Sequence, residues 1–208
     1  MKKFIAILLY LCAIALMGLD VHQEYLGGQE LSIQARLLFS GMVFVLTVLS
    51  YQLMKKAFPA QKAIFFKITV WMLFLYYLSI LIALLFFSYG MGRQVARQGL
   101  NLHPLTTIRN YYATYRNGHL SRHVFLVNMA GNVLAFAPWG YFGPVLFSGM
   151  RSFWGFFWRM SGMIALVEIV QLLTYTGSCD VDDWILNMIG AVVVYIWMQL
   201  PYFNKIRL

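Results

Sequence analysis

The sequence predicts an all-α fold: a polytopic membrane bundle of about six transmembrane helices with a short interfacial helix in the third loop. Three observations predict it. The 208 residues are 61% hydrophobic and 11% charged, where a soluble domain carries about 25% charged residues. Six apolar runs approach the ~20 residues needed to cross ~30 Å of hydrocarbon. Most basic and acidic residues fall between these runs or near their ends.

The runs cover 4–19, 31–54, 64–87, 124–147, 158–175 and 184–200. Backbone polar groups in lipid must be satisfied internally, so each run is read as a helix. The first is short and relies on Lys2 and Lys3 snorkelling to the headgroups. The opening Met1-Lys2-Lys3 and its apolar run have signal-peptide shape. Met17-Gly18-Leu19-Asp20 is a poor cleavage site, so an uncleaved first span is expected. Three spans occupy 1–100, three occupy 101–200, and 201–208 is a short cytoplasmic tail.

Counting Lys and Arg gives the orientation. With the N-terminus inside, ten basic residues lie inside: Lys2, Lys3, Lys55, Lys56, Lys62, Lys67, Arg151, Arg159, Lys205 and Arg207. Six lie outside: Arg36, Arg93, Arg97, Arg109, Arg116 and Arg122. Asp20, Glu24, Glu30, Asp180, Asp182 and Asp183 also fall outside. Both termini are therefore expected in the cytoplasm. The net charge of +9 is that of basic loops at anionic lipid, and nucleic-acid binding is excluded because no basic soluble face exists. Cys12 lies inside the first run and Cys179 in a polar loop, so the two are not expected to pair.

The third loop, 88–123, holds five Arg and no acidic residue. Ile108, Tyr111, Tyr112 and Tyr115 follow i, i+3, i+4, i+7, one apolar helical face. A helix lying in the interface with its tyrosines at headgroup depth fits this pattern. The alternative is that the arginines meet a phosphate or another anion.

Polar residues in the last three spans gather at one depth. Asn128 and Asn132 share a face in the first turns of span four. Glu168 and Gln171 share one in the last turns of span five, and Asp183 and Asn187 in the first turns of span six. A carboxylate in hydrocarbon is expensive and marks a candidate site, which makes Glu168 the central residue. Two readings stand: a polar clamp in which Glu168, Gln171, Asn128, Asn132 and Asn187 join the helices, or a ligand or acid/base site. Glu168, Asp182 and Asp183 are the catalytic candidates. Asp180, Asp182 and Asp183 offer oxygen ligands for a divalent cation, and equally the acids that a helix N-terminus favours. Pro138 and Gly140 can kink span four. Cys179 lacks a partnered His and is a poor nucleophile candidate.

These motifs resemble the VanZ-like family of bacterial membrane proteins. Asn101-Leu102-His103-Pro104-Leu105-Thr106-Thr107-Ile108 is similar to the family's Asn-Leu-x-Pro-Phe-x-x-Ile stretch. Asn128-x-x-x-Asn132-x-x-x-Phe136-x-Pro138-x-Gly140 follows, then Glu168-x-x-Gln171, then Gly177 to Asp183, then Asn187-x-x-Gly190. The likeness covers about 101–195. Leu105 stands for the usual aromatic, Cys179 in a place often held by Phe, and Val194 where a second Gly is frequent.

The resemblance implies a bacterial inner-membrane protein linked to glycopeptide resistance, chiefly to teicoplanin-type lipoglycopeptides. Expected partners are membrane lipids and a lipid-linked cell-wall precursor or lipoglycopeptide. Ligand-binding candidates are Asn101, His103, Arg109, Asn128, Asn132, Glu168, Gln171, Asp180, Asp183 and Asn187. Two rivals stay open: an enzyme acting on a lipid or lipid-linked sugar phosphate, and a small transporter, against which weighs the lack of a visible inverted repeat.

Overall fold

The computed structural model describes residues 2–26, 33–87 and 99–200. Glu30, Arg93, Arg97 and the expected tail at 201–208 lie outside the described residues. The chain divides into two compact units, Met1–Gly90 and Met91–Arg207.

The first unit holds α1 (Lys2–Leu26), α2 (Ile33–Ala57) and α3 (Lys62–Ile82), which continues into a π-helical turn at Ala83–Phe87. Pro59 opens the 3-10 turn Pro59–Gln61 that leads into α3. On α1, Ala6, Ala13 and Asp20 are buried, and on α2 Arg36, Val43 and Ser50. Both sets are spaced by seven, so each forms one seam of a helix pair. The small side chains let the backbones approach closely.

The seam explains why α1 runs well past the expected end of the first span. Asp20 and Glu24 were expected in an outside loop, yet both lie on α1. Tyr76 of α3 donates to Asp20 Oδ2 at 2.7 Å, and Arg36 of α2 forms an ion pair with Glu24. Partners on neighbouring helices satisfy these groups, and the helix continues through them. The Lys3 ammonium, expected to snorkel, stands over the Phe58 ring at 4.5 Å.

The second unit runs β1 (Leu100–Asn101), α4 (Thr106–Arg116), α5 (Arg122–Ala135), α6 (Trp139–Leu146), α7 (Phe153–Leu173), β2 (Cys179–Asp180) and α8 (Val181–Met198). Ser121 Oγ caps α5 by accepting from Val124 N, and Ser152 Oγ caps α7 by accepting from Gly155 N. The β1 and β2 segments pair in parallel, Leu100 with Cys179 and Asn101 with Asp180.

The run expected as one span at 124–147 is two helices. Proline has no N–H to donate, and its ring collides with the carbonyl one turn earlier. At Pro138 the ladder therefore breaks into short-range bonds, Ala137 N to Leu134 O at 3.3 Å and Trp139 N to Phe136 O at 3.1 Å. Among the described residues, five helices are long and apolar enough to cross a membrane: Lys3–Leu26, Gln34–Ala57, Pro59–Phe87, Phe153–Leu173 and Val181–Met198. The run at 124–147 is not among them, being divided between α5 and α6.

Outward faces are apolar. Leu37 and Leu38 are each 68% exposed, and Trp154 and Trp158 are 64% and 65% exposed. Side chains of this kind, ranked along whole helices, need lipid around them. The chain is an all-α membrane protein.

Two glycines set the packing of α8. A Cβ on Gly190 would stand 1.7 Å from the Val133 carbonyl oxygen of α5. One on Gly140 of α6 would stand 2.5 Å from both Ala191 O and Tyr195 N of α8. Below these contacts Phe156 of α7 stacks on Tyr195 with centroids 4.4 Å apart. Phe156, Met160 and Ile164 make α7 a fully buried apolar face that becomes polar at Glu168 and Gln171.

Candidate functional site

The end of α7, the β1–β2 bridge and the start of α8 bring the acidic residues together. Asp180 caps α8, taking Asp182 N on Oδ1 at 2.8 Å. Its register partner Asn101 donates from Nδ2 to the same oxygen at 3.0 Å, and Thr107 Oγ1 donates to Oδ2 at 2.5 Å. The Asp180 amide donates to Glu168 Oε2 at 3.3 Å. One aspartate thereby ties β1, α4, α7 and α8. Asn101 completes the corner by donating to Thr107 Oγ1 at 3.0 Å and accepting from the His103 amide at 3.0 Å.

Asp182 is fully buried, and both of its oxygens serve α4. Oδ1 accepts from Leu105 N at 2.5 Å and Oδ2 from Ile108 N at 3.0 Å. The α4 N-cap, Leu105, has φ 66° and no side-chain bond of its own. The carboxylate of another helix thus satisfies the free amides of α4 and opposes its dipole. Asp183 points to a third element and accepts from Asn132 Nδ2 of α5.

The three aspartates considered as cation ligands are thus aimed at different donors. Those serving Asp180 and Asp182 are uncharged N–H and O–H groups. Among the described residues no group of three or more His, Cys, Asp and Glu side chains could hold a metal ion.

The remaining candidates separate. Gln171 is buried, its backbone carbonyl accepts from Thr176 N and Gly177 N, and Gly177 packs on its side chain. Asn128 donates to Val124 O on its own helix at 2.8 Å and joins no other helix among the described residues. His103 and Arg109 are exposed. Asn187 is 3% exposed, and its Oδ1 is buried without a donor among the described residues. It lies four residues after Asp183, so the two share the face of α8 that meets α5. Of the five residues in the clamp reading, Asn128 and Asn187 make no side-chain hydrogen bond to another helix among the described residues.

Cys179 lies beside this network, outside the spanning helices. Burial pushes its thiol pKa up, and the Glu168 and Asp180 carboxylates add to the rise. It remains a neutral thiol at physiological pH.

Sequence reasoning missed Thr107, although it stands inside the quoted 101–108 motif; a hydroxyl near a helix start was the available signal. It also missed the polar group of the first unit: Asp20, Glu24, Arg36, Tyr76 and Ser40, whose Oγ lies 3.4 Å from the Tyr76 hydroxyl. The seven-residue continuation from Ala6 and Ala13 to Asp20 was the signal there.

The face of α4 also differs from the expected one. Ile108, Tyr111 and Tyr115 are half-buried, and Tyr115 stacks on Phe125 of α5 with centroids 5.0 Å apart. The tyrosine stripe therefore turns mainly into the protein, leaving Tyr112 54% exposed. Arg109 and Arg116 are exposed on another flank, and Arg122 is exposed at the start of α5.

The family model described as VanZ/LLP1 matches residues 74–201, from the later turns of α3 through α8. No curated protein and no solved structure gives a match.

Proposed function

The chain belongs to the VanZ/LLP1 family, and from that premise we propose that it binds an amphiphilic or lipid-linked ligand at the outer leaflet of a bacterial inner membrane. Binding contributes to resistance against teicoplanin-type lipoglycopeptides or to envelope homeostasis. In this reading both termini are cytoplasmic, and α5 and α6 together make the sixth crossing. The network at the start of α8 then lies at outer-leaflet depth.

The observation that carries the reading is Asn187. Leaving a buried acceptor without a donor costs about 1–3 kcal/mol, and buried polar groups are hydrogen-bonded in the great majority of cases. An acceptor held beside the Asp183–Asn132 pair suits a ligand that brings a hydroxyl or N–H. Binding is favoured over acid/base chemistry because Asp180 and Asp182 already serve β1, α4 and α8.

The test is mass spectrometry of lipids retained by the purified full-length protein, beside teicoplanin susceptibility of cells carrying it. Asn187→Leu, Glu168→Gln and Asp183→Asn are compared with the parent. Asn187→Leu is expected to lower ligand occupancy about tenfold, the equivalent of ~1.4 kcal/mol, and to raise susceptibility. Folded variants that keep both ligand and resistance would refute the reading.

A further inference from the structure

We propose that the exposed flank of α4 docks on anionic phospholipid headgroups through Arg109 and Arg116, with Arg122 at the start of α5 extending the contact. Arg109 and Arg116 are seven residues apart and project from one side of the helix. All three residues are exposed. None of them makes a hydrogen bond or ion pair with a described residue. Between Gly99 and Val124 the sequence has no Asp or Glu, so the flank has one sign of charge.

The acids nearest in the fold do not neutralise it. Asp180 is occupied by Asn101, Thr107 and the Asp182 amide, and Asp182 by the amides of Leu105 and Ile108. The buried carboxylates fix the helix, and among the described residues none of them pairs with the arginines. Arginine presents a planar fork that matches phosphate oxygens. Basic side chains beside membrane spans are drawn to anionic lipid.

The tyrosines do not compete for this role. Ile108, Tyr111 and Tyr115 face the protein, and the Tyr115–Phe125 stack holds α4 against α5. Asp182 fixes its first turn. The arginine flank is therefore presented on a rigid element, with little ordering cost on contact. This surface is separate from the Asn187 site and stands without it.

The experiment uses the full-length protein in nanodiscs of phosphatidylcholine alone or mixed equally with phosphatidylglycerol. Phenylglyoxal modification of Arg109, Arg116 and Arg122 is followed by peptide mass spectrometry. Phosphatidylglycerol is expected to slow modification at Arg109 and Arg116 about fivefold, and high salt to restore it. Equal rates in the two discs overturn the proposal. So does equal protection by inorganic phosphate in phosphatidylcholine discs, which would mark a free-anion site. Asn187→Leu is run in parallel, and protection is expected to persist in it even where the other ligand is lost.

Discussion

Asp182 and Leu105 are joined 77 residues apart in sequence, the Asp182 carboxylate taking the Leu105 amide at 2.5 Å while Leu105 holds a left-handed backbone at φ 66°. A side chain with a Cβ spends about 1–2 kcal/mol in that region. The carboxylate offsets this by bonding two amides of α4. Asp182→Asn keeps one acceptor, turns an amide N–H toward another N–H, and removes the charge that opposes the helix dipole. It is expected to cost about 2 kcal/mol. Trypsin should then cut faster after Arg109 and Arg116 than in the parent. Leu105→Gly should be nearly neutral, because it relieves the backbone, whereas Leu105→Ile should destabilise.

Gly190 and Gly162 give opposite expectations for the same change. Gly190→Ala would drive a Cβ into the Val133 carbonyl, and backbone cannot yield as a flexible side chain can. It should abolish monodisperse protein in size-exclusion chromatography. A Cβ on Gly162 of α7 meets nothing within 4 Å. Gly162→Ala should be neutral or stabilise by up to about 1 kcal/mol through helix propensity.

The Arg36–Glu24 pair has side chains only 10% and 8% exposed. Glu24→Gln strands a buried guanidinium and is expected to cost about 3–5 kcal/mol. Pairing it with Arg36→Met should recover most of the loss, since replacing a whole buried ion pair by apolar groups is near neutral. Thermal unfolding of the two single variants and the double variant completes the cycle. Additive losses would show that the two side chains do not act as a pair.

Cys179 supplies the pH dependence. Its thiol pKa is raised in the fold by burial, then by Glu168 and Asp180. The resulting stabilisation is complete below the pKa of the unfolded thiol and is lost as pH rises through the folded value. In a Cys12→Ser background, iodoacetamide should label the folded protein at pH values above those for the urea-unfolded chain. Glu168→Gln removes one raising charge and should shift the labelling curve to lower pH. An unchanged curve would show that the Glu168 carboxylate does not act on the thiol.

The sequence alone determined the membrane class, the placing of most helices and the acidic, Asn-bearing motifs, because hydropathy and helical spacing are local properties. It also located α4 from a four-residue stripe. The direction of that stripe was not local: aromatic side chains suit headgroups and protein interiors alike, and only the packing of Tyr115 on Phe125 turned it inward. The same holds for the acids. Spacing placed Asp180, Asp182 and Asp183 near a helix start, but their division among β1, α4 and α5 depends on segments up to 79 residues away. Asp20 was read as a loop residue, and Arg36, near the start of the run 31–54, was counted with the outside charges, because polar side chains at the end of an apolar run ordinarily leave the bilayer. Tertiary structure decided otherwise by giving them partners, and a buried charge is tolerable only where such partners exist.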